Sequence, residues 1–483
     1  MSNKKSLTSN SIYNVAYKML NVLFPLITAA YIARVLFATG VGKVAYAQNI
    51  VKYFEMIAAL GIPNYGIREA AKVYNEKKQS CKLFSELFLI NFVSTTICLL
   101  LYYALILNVP FFSSERPLYA VVGLSIAFNY LNVDWFYQGY EEFRYIAIRS
   151  FVVKMLSLVA IFVFVREKQD YIMYALISCL AIGGNNIYNI INLRKYGIKI
   201  VFDGLNLKKH INAVMVLLGS VIAIELYTLL DTTMIGFFCD SKAVAYYTNS
   251  MRLVKILITV VTAISGVLLP RLSYHHSLGE EEECGKIVSK VFTVLLFIFL
   301  PCEIGLILVS DQVIPILFGS SFIPACKTLR VCSLLICVLG FSNLFGTQVL
   351  LTYNQEKKLL ITTIAGAVSN ICLNLVLVPK YQQNGAAVAS VISETIVTCM
   401  SVIFAIRYVT IKLSKTEIIS MLFSAMIMGV GVWMIQRSGL GLVLKLGTSV
   451  SIGIVIYFIM NYLLKTPVMW DVMKLLKKEE IKS

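Results

Sequence analysis

The chain has 483 residues, of which 58% are hydrophobic and only 14% charged, with a formal net charge of +17. Too little polar material is present to cover a soluble globule, so the composition excludes a water-soluble enzyme or scaffold and points to lipid as the solvent. The positive charge is not that of a nucleic-acid binder, because the basic residues sit between hydrophobic runs instead of clustering on one soluble face.

A spanning helix needs about 20 apolar residues. Runs of that size, separated by glycine, proline and charge, predict helices near residues 11–36, 43–62, 82–107, 117–138, 146–165, 171–193, 211–238, 243–270, 286–309, 325–352, 359–378, 385–408, 416–435 and 440–464. The second carries Lys52 and Glu55 in its middle and is the weakest. The first lacks a small-residue cleavage site and reads as a retained helix, not a signal peptide. Eleven cysteines fall singly, without ligand spacing, and read as packing residues. His210, His275 and His276 lie in or beside loops, so no metal and no cofactor is assigned.

An even number of spans places both termini on one side. Alternate connections hold about 26 lysines and arginines against about 9 in the others, which predicts cytoplasmic N- and C-termini. The longest connections, near Pro63 to Cys81 and Lys195 to His210, are too short to fold as separate domains, so function belongs to the helix bundle. After Pro467 the tail sets Met469, Trp470, Met473 and Leu476 against Lys474, Lys477 and Lys478, as an interfacial anchor helix would.

Self-comparison reveals a repeat. Residues 44–52 read VAYAQNIVK and residues 244–252 read VAYYTNSMR, and a weaker echo relates GYEEFRYIAI from Gly139 to TYNQEKKLLI from Thr352. The first pair relates helix two to helix eight, a shift of six spans that preserves orientation. The expected fold class is therefore all-α integral membrane, with about 14 transmembrane helices in two pseudo-symmetric six-helix lobes plus two extra C-terminal helices. The lobes would occupy residues 1–200 and 201–410, helices thirteen and fourteen 411–464, and an interfacial cytoplasmic tail 465–483.

A charge at mid-membrane costs a few kcal/mol and should face a partner or a watery cavity. Gln48, Asn49, Lys52 and Glu55 fall at helical spacing on helix two, and Thr248, Asn249, Arg252 and Lys255 repeat the stripe on helix eight. This arrangement predicts a cationic cleft between the lobes and an anionic ligand. The alternative for Lys52 is internal pairing with Glu55. Lys18, Arg34 and Lys154 lie nearer helix ends, where a side chain can instead snorkel to a headgroup. Mid-span acids are Glu225, Asp231, Glu303 and Glu394. They serve as counter-charges, with Glu225 the candidate for a coupling proton or sodium ion.

The stretch GKVAYAQNIVKYFEMIAALGIPNYGIREAAKVYNEK from Gly42, with its asparagine-containing helix and GIREA segment, and the YNQEKK turn after helix ten resemble the Wzx-type polysaccharide-biosynthesis flippases. These belong to the multidrug/oligosaccharidyl-lipid/polysaccharide exporter superfamily. The resemblance implies a non-enzymatic transporter of the bacterial plasma (inner) membrane. Its cargo would be an undecaprenyl-pyrophosphate-linked oligosaccharide repeat unit, carried from the inner to the outer leaflet by alternating access for capsule, O-antigen or similar assembly. Partners would be the polyprenyl-pyrophosphate-linked glycan, membrane lipids, a coupling ion and polysaccharide assembly proteins, with no nucleic acid.

By position, Lys18, Lys52, Arg252 and Lys255 become phosphate or sugar contacts, with Asn49 and Asn249 as hydrogen-bonding neighbours. The sugars would meet Tyr46, Tyr246 and Tyr247. A lipid II flippase is the nearest rival, sharing the polyprenyl pyrophosphate. A small-molecule exporter of the same superfamily is further away, because a cation exporter should carry acids where this chain has Lys52, Arg252 and Lys255. A membrane glycosyltransferase would need a sizeable catalytic loop that is not there.

Overall fold

The computed structural model describes residues 7–265 and 268–470, with side chains described except in 7–23, at 220, 223, 224, 226 and 227, and in 260–270. The predicted tail beyond Trp470 therefore lies outside the described residues. Every regular element described is helical. Eight helical stretches among the described residues are long and apolar enough to cross a membrane, which makes this a multi-pass, all-α membrane protein. Outward-facing residues fit that solvent: Leu156, Met426 and Val443 are 66%, 66% and 69% exposed, which only lipid would leave unpunished on many neighbouring positions.

Contacts divide the chain into two compact units, Met1–Gly236 and Phe237–Ser483. The first unit begins with α1 (Leu7–Ala59), in which the loop predicted between helices one and two is absent. A one-residue break at Phe37 (φ 54°, ψ 178°) redirects the chain instead. The unit continues with α2 (Ile62–Lys72), α3 (Lys77–Asn108), α4 (Arg116–Val122), α5 (Leu124–Phe128), α6 (Asp134–Gly139), α7 (Phe143–Phe164), α8 (Tyr171–Leu193) and α9 (Lys208–Phe238). The helix expected over 117–138 is thus broken into α4, α5, a 3-10 turn at Asn129–Leu131 and α6. Helix α3, at 32 residues, is about 48 Å long and outreaches the hydrocarbon core of about 30 Å, so its polar first turns stand beyond it.

At that polar end α2 and α6 pack closely. A Cβ on Gly66 would lie 2.6 Å from the Trp135 ring, so only glycine admits the indole there. Around this contact Tyr65, Phe84, Leu87, Trp135, Phe136 and Tyr137 form an aromatic core.

The connection from α8 to α9 opens with a 3-10 turn, Arg194–Tyr196, then runs without regular structure and is strapped along α3 by side chains of that helix. The Lys199 amide donates to Cys81 Sγ (3.5 Å), the Val201 amide to Ser85 Oγ (2.8 Å) and the Asn206 amide to Glu86 Oε1 (2.7 Å). His210 closes the strap. Its Nε2 lies 2.8 Å from Glu86 Oε2 and its Nδ1 2.7 Å from the Tyr65 hydroxyl. A carboxylate can only accept, so Nε2 donates to Glu86 and, in the neutral ring, Nδ1 accepts from Tyr65. Glu86, His210 and Tyr65 are all buried.

The second unit comprises α10 (Ser241–Ser265), α11 (Leu268–Ser277), α12 (Glu281–Phe318), α13 (Ala325–Ser333), α14 (Leu335–Ser342), α15 (Glu356–Ala405), α16 (Lys415–Gln436) and α17 (Leu442–Leu463). A π-helical stretch, Asn343–Leu350, follows α14. Predicted helices eleven and twelve are continuous in α15 except for a break at Gln382 (φ 52°, ψ −134°). The repeat echo has a backbone counterpart. Glu141 (φ 53°) and Asn354 (φ 53°) end their helices in the left-handed region, and the next amides, Glu142 and Gln355, reach back to Tyr137 O (2.9 Å) and Leu350 O (2.8 Å).

Helices α16 and α17 pack on α12 through Phe297, Met421, Ala425, Met428 and Tyr457. Pro301 lies inside α12 and has no amide hydrogen, which orphans the carbonyl four residues earlier, that of Phe297. Tyr457 repairs the gap by donating its hydroxyl to Phe297 O at 2.9 Å. Replacing Tyr457 with Phe is expected to destabilise the protein by about 1–3 kcal/mol, because a buried carbonyl loses its replacement donor. Thermal unfolding of the detergent-solubilised protein checks this, and an unchanged midpoint would refute it.

Candidate functional site

The polar stripe on the second half of α1 is helical, as the periodicity requires, but it does not present one face. Steps of three residues turn about 300° each, so Asn49, Lys52 and Glu55 drift round the helix by roughly 60° per step. Asn49 is buried and donates Nδ2 to Thr233 Oγ1 (2.8 Å) and Leu229 O (3.3 Å) on α9. Thr233 gives its own hydrogen to Leu229 O (3.0 Å), so its oxygen accepts from both Asn49 and the Tyr53 hydroxyl (2.7 Å). Glu55 turns the other way, toward Ser125, with Tyr102 and Cys179 near it. Lys52 lies between these two directions and is exposed from the protein.

Tyr46, one turn earlier, is buried with its ring edge-on to Phe111 at 6.2 Å. Its ring also packs against Gly236, where a Cβ would come within 2.0 Å of it. Tyr46 thus fills the α1–α9 seam. Glu225 lies further back on α9, exposed, and accepts from the Thr228 hydroxyl at 3.3 Å. Lys18 falls inside α1, but its side chain lies outside the described residues.

Helix α10 carries the repeat copy. Tyr246 meets Phe322 edge-on at 5.8 Å, and Tyr247 donates to Ser390 Oγ at 3.0 Å, whose own hydrogen goes to Ala386 O (2.9 Å). Asn249 is 1% exposed, and its Oδ1 accepts from Arg252 Nη1 at 3.2 Å. Its Nδ2 makes no hydrogen bond although it is buried. Arg252 is half-buried and Lys255 exposed one turn on. The two repeat-related asparagines therefore differ: the Asn49 amide gives both its hydrogens to α9, whereas Asn249 orients an arginine and keeps an unused donor.

Two further polar clusters escaped the sequence reading. Asp134 accepts from Arg149 Nη1 (2.8 Å) and Asn189 Nδ2 (2.5 Å), joining α6, α7 and α8 through a guanidinium that is almost fully buried. The Glu86–His210–Tyr65 chain is the other. His210 read as a loop residue because its partners lie 124 and 145 residues away, and no local spacing reveals them. The only available signal was a lone histidine and a glutamate next to apolar runs.

Among known proteins, the family described as polysaccharide biosynthesis protein matches residues 7–276. A putative O-antigen transporter of Escherichia coli K12 is 23% identical over 83% of this chain and 97% of its own length. A probable low-salt glycan biosynthesis flippase, Agl15, of Haloferax volcanii is 25% identical over 48% of this chain and 49% of its own. Among solved structures, the lipid II flippase MurJ in an inward closed conformation superimposes with a TM-score of 0.77 at 16% identity, covering 95% of this chain and 99% of that one. An inward-facing multidrug resistance MATE transporter of the MOP superfamily gives 0.63 at 13% identity, over 82% of this chain and 97% of that one. These likenesses establish the transporter fold.

Proposed function

This chain belongs to the polysaccharide biosynthesis protein family, and from that premise we propose that it is a Wzx-type flippase that carries an undecaprenyl-pyrophosphate-linked oligosaccharide from the inner to the outer leaflet of a bacterial plasma membrane. Relatives named as an O-antigen transporter and a glycan flippase support the cargo class. The observation that carries the reading is the sign of the mid-span charges. Lys52 on α1 and Arg252 and Lys255 on α10 are cations on repeat-related helices, and a pyrophosphate is the group that rewards them. Arg252, held by Asn249, offers a planar fork, and the lysines offer point charges. Alternating access moves the charged headgroup while the polyprenyl tail stays in lipid. Both termini are cytoplasmic in this reading, and a proton or sodium ion at Glu225 supplies the coupling.

The test is flipping of a fluorescent polyprenyl-pyrophosphate oligosaccharide in liposomes. Each charge-assisted contact is worth about 1.5–3 kcal/mol, so a Lys52→Ala, Arg252→Ala, Lys255→Ala variant should flip at least about a hundredfold more slowly than wild type. Insertion and folding are checked by size-exclusion elution and thermal unfolding. Equal flipping by both proteins would remove these residues from the site, and failure of wild type with any lipid-linked glycan would remove the flippase. Wild-type flipping restricted to lipid II would reassign the cargo. Glu225→Gln in the same vesicles should abolish acceleration by an imposed proton or sodium gradient, and an unaltered gradient response would exclude Glu225 from coupling.

A further inference from the structure

The segment between α8 and α9 combines two features that a water-facing loop does not need together. Phe202 is 77% exposed and Ile200 is 49% exposed. Around them stand Arg194, Lys195, Lys199, Lys208 and Lys209, all exposed, against Asp203 as the acid of the stretch. A flexible loop could fold its aromatic ring back onto the protein. This one cannot, because the amides of Lys199, Val201 and Asn206 are tied to Cys81, Ser85 and Glu86 on α3, and His210 closes the far end on Glu86. The phenyl ring next to a pinned amide is therefore held outward by the backbone.

The strap also sits at the start of a span. Helix α8 ends at Leu193 and α9 starts at Lys208, while the strap is tied to Cys81, Ser85 and Glu86 in the first three turns of α3, a helix long and apolar enough to cross a membrane. That helix is about 48 Å long against a hydrocarbon core of about 30 Å, which argues that these lysine-bearing first turns lie at headgroup level.

We propose that the strap from Arg194 to Lys209 is a docking surface for anionic phospholipid headgroups, with Phe202 and Ile200 inserted at the acyl boundary and the flanking cations on the phosphates. Apolar wedge and cationic rim are the two components of interfacial binding, and a surface of this charge selects anionic over zwitterionic lipid. The contact anchors the connection into α9, the helix that clasps Asn49 and Tyr53.

The test uses the full chain with Phe202→Trp, reconstituted into nanodiscs of phosphatidylcholine alone or of phosphatidylcholine mixed with phosphatidylglycerol, each also prepared with brominated acyl chains. The fluorescence added by the introduced indole, taken as a difference from wild type, should be blue-shifted and quenched by bromolipid, and more strongly in the phosphatidylglycerol discs. Added salt should remove that increment, as should Lys195→Gln, Lys199→Gln, Lys208→Gln and Lys209→Gln together. The salt titration decides the matter by itself if the quadruple variant fails to fold. Unquenched, water-like emission in both bilayers would overturn the proposal and leave the face to a soluble partner. Equal quenching in both, insensitive to salt, would overturn the choice of anionic lipid.

Discussion

Asp134→Ala is expected to cost about 3–5 kcal/mol, the penalty for stranding a buried charge. Arg149 has a side chain only 2% exposed, whereas that of Asp134 is 30% exposed. Removing the aspartate leaves an almost fully buried guanidinium without its counter-ion, and Arg149 Nε already has no hydrogen-bond partner there. Removing the arginine leaves a carboxylate that water can solvate and that Asn189 still supports at 2.5 Å. The two single variants should therefore rank unequally, with Asp134→Ala less stable than Arg149→Met. The double variant should recover most of the loss, because a neutral pair strands nothing. Thermal unfolding in detergent gives the order. Equal midpoints for the two single variants would show that the site is wetter than its geometry indicates.

Glu86 carries an expected effect of comparable size. Its two oxygens serve the Asn206 amide and His210, so Glu86→Ala removes two hydrogen bonds to a charged acceptor at about 1.5–3 kcal/mol each. Glu86→Gln keeps an acceptor for Asn206 and should lose about half as much. Tyr65→Phe, which deletes one phenol bond to His210, should lose about 1 kcal/mol. Because these bonds hold the strap, limited trypsin digestion at Lys199 and Lys208 is the sensitive readout. Cleavage should accelerate in the order Tyr65→Phe, Glu86→Gln, Glu86→Ala. A strap cut equally fast in wild type and Glu86→Ala would show that Ser85 and Cys81 hold it alone.

Hydropathy made the membrane class legible, and the motifs around Gly42 and Tyr353 did the same for the family resemblance; the structure and the relatives confirm both. The echo between Gly139 and Thr352 was legible for a physical reason. Both segments make the same reversed helix end, and that geometry constrains composition over several residues. The breaks at Phe37 and Gln382 were not, since neither glycine nor proline stands at the residue that turns. The stripe on helix two was half legible. Periodicity put Asn49, Lys52 and Glu55 on a helix, but the partners that split them, Thr233 and Ser125, lie far along the chain. Gly236 shows the same limit. Its packing on Tyr46 depends on a helix far back along the chain, and a lone glycine near a helix end reads as a stop.

The repair of α12 by Tyr457 has an evolutionary consequence. The hydroxyl stands in for an amide hydrogen that Pro301 deleted, so the two residues are not independent substitutions. A lineage that replaces the proline first restores the helix's own bond and leaves the tyrosine free to drift. One that loses the tyrosine first passes through a chain with an orphaned carbonyl and must recover from it. Changes at the two positions should therefore accumulate in one order, and homologues with a phenylalanine at the second site should lack the proline at the first.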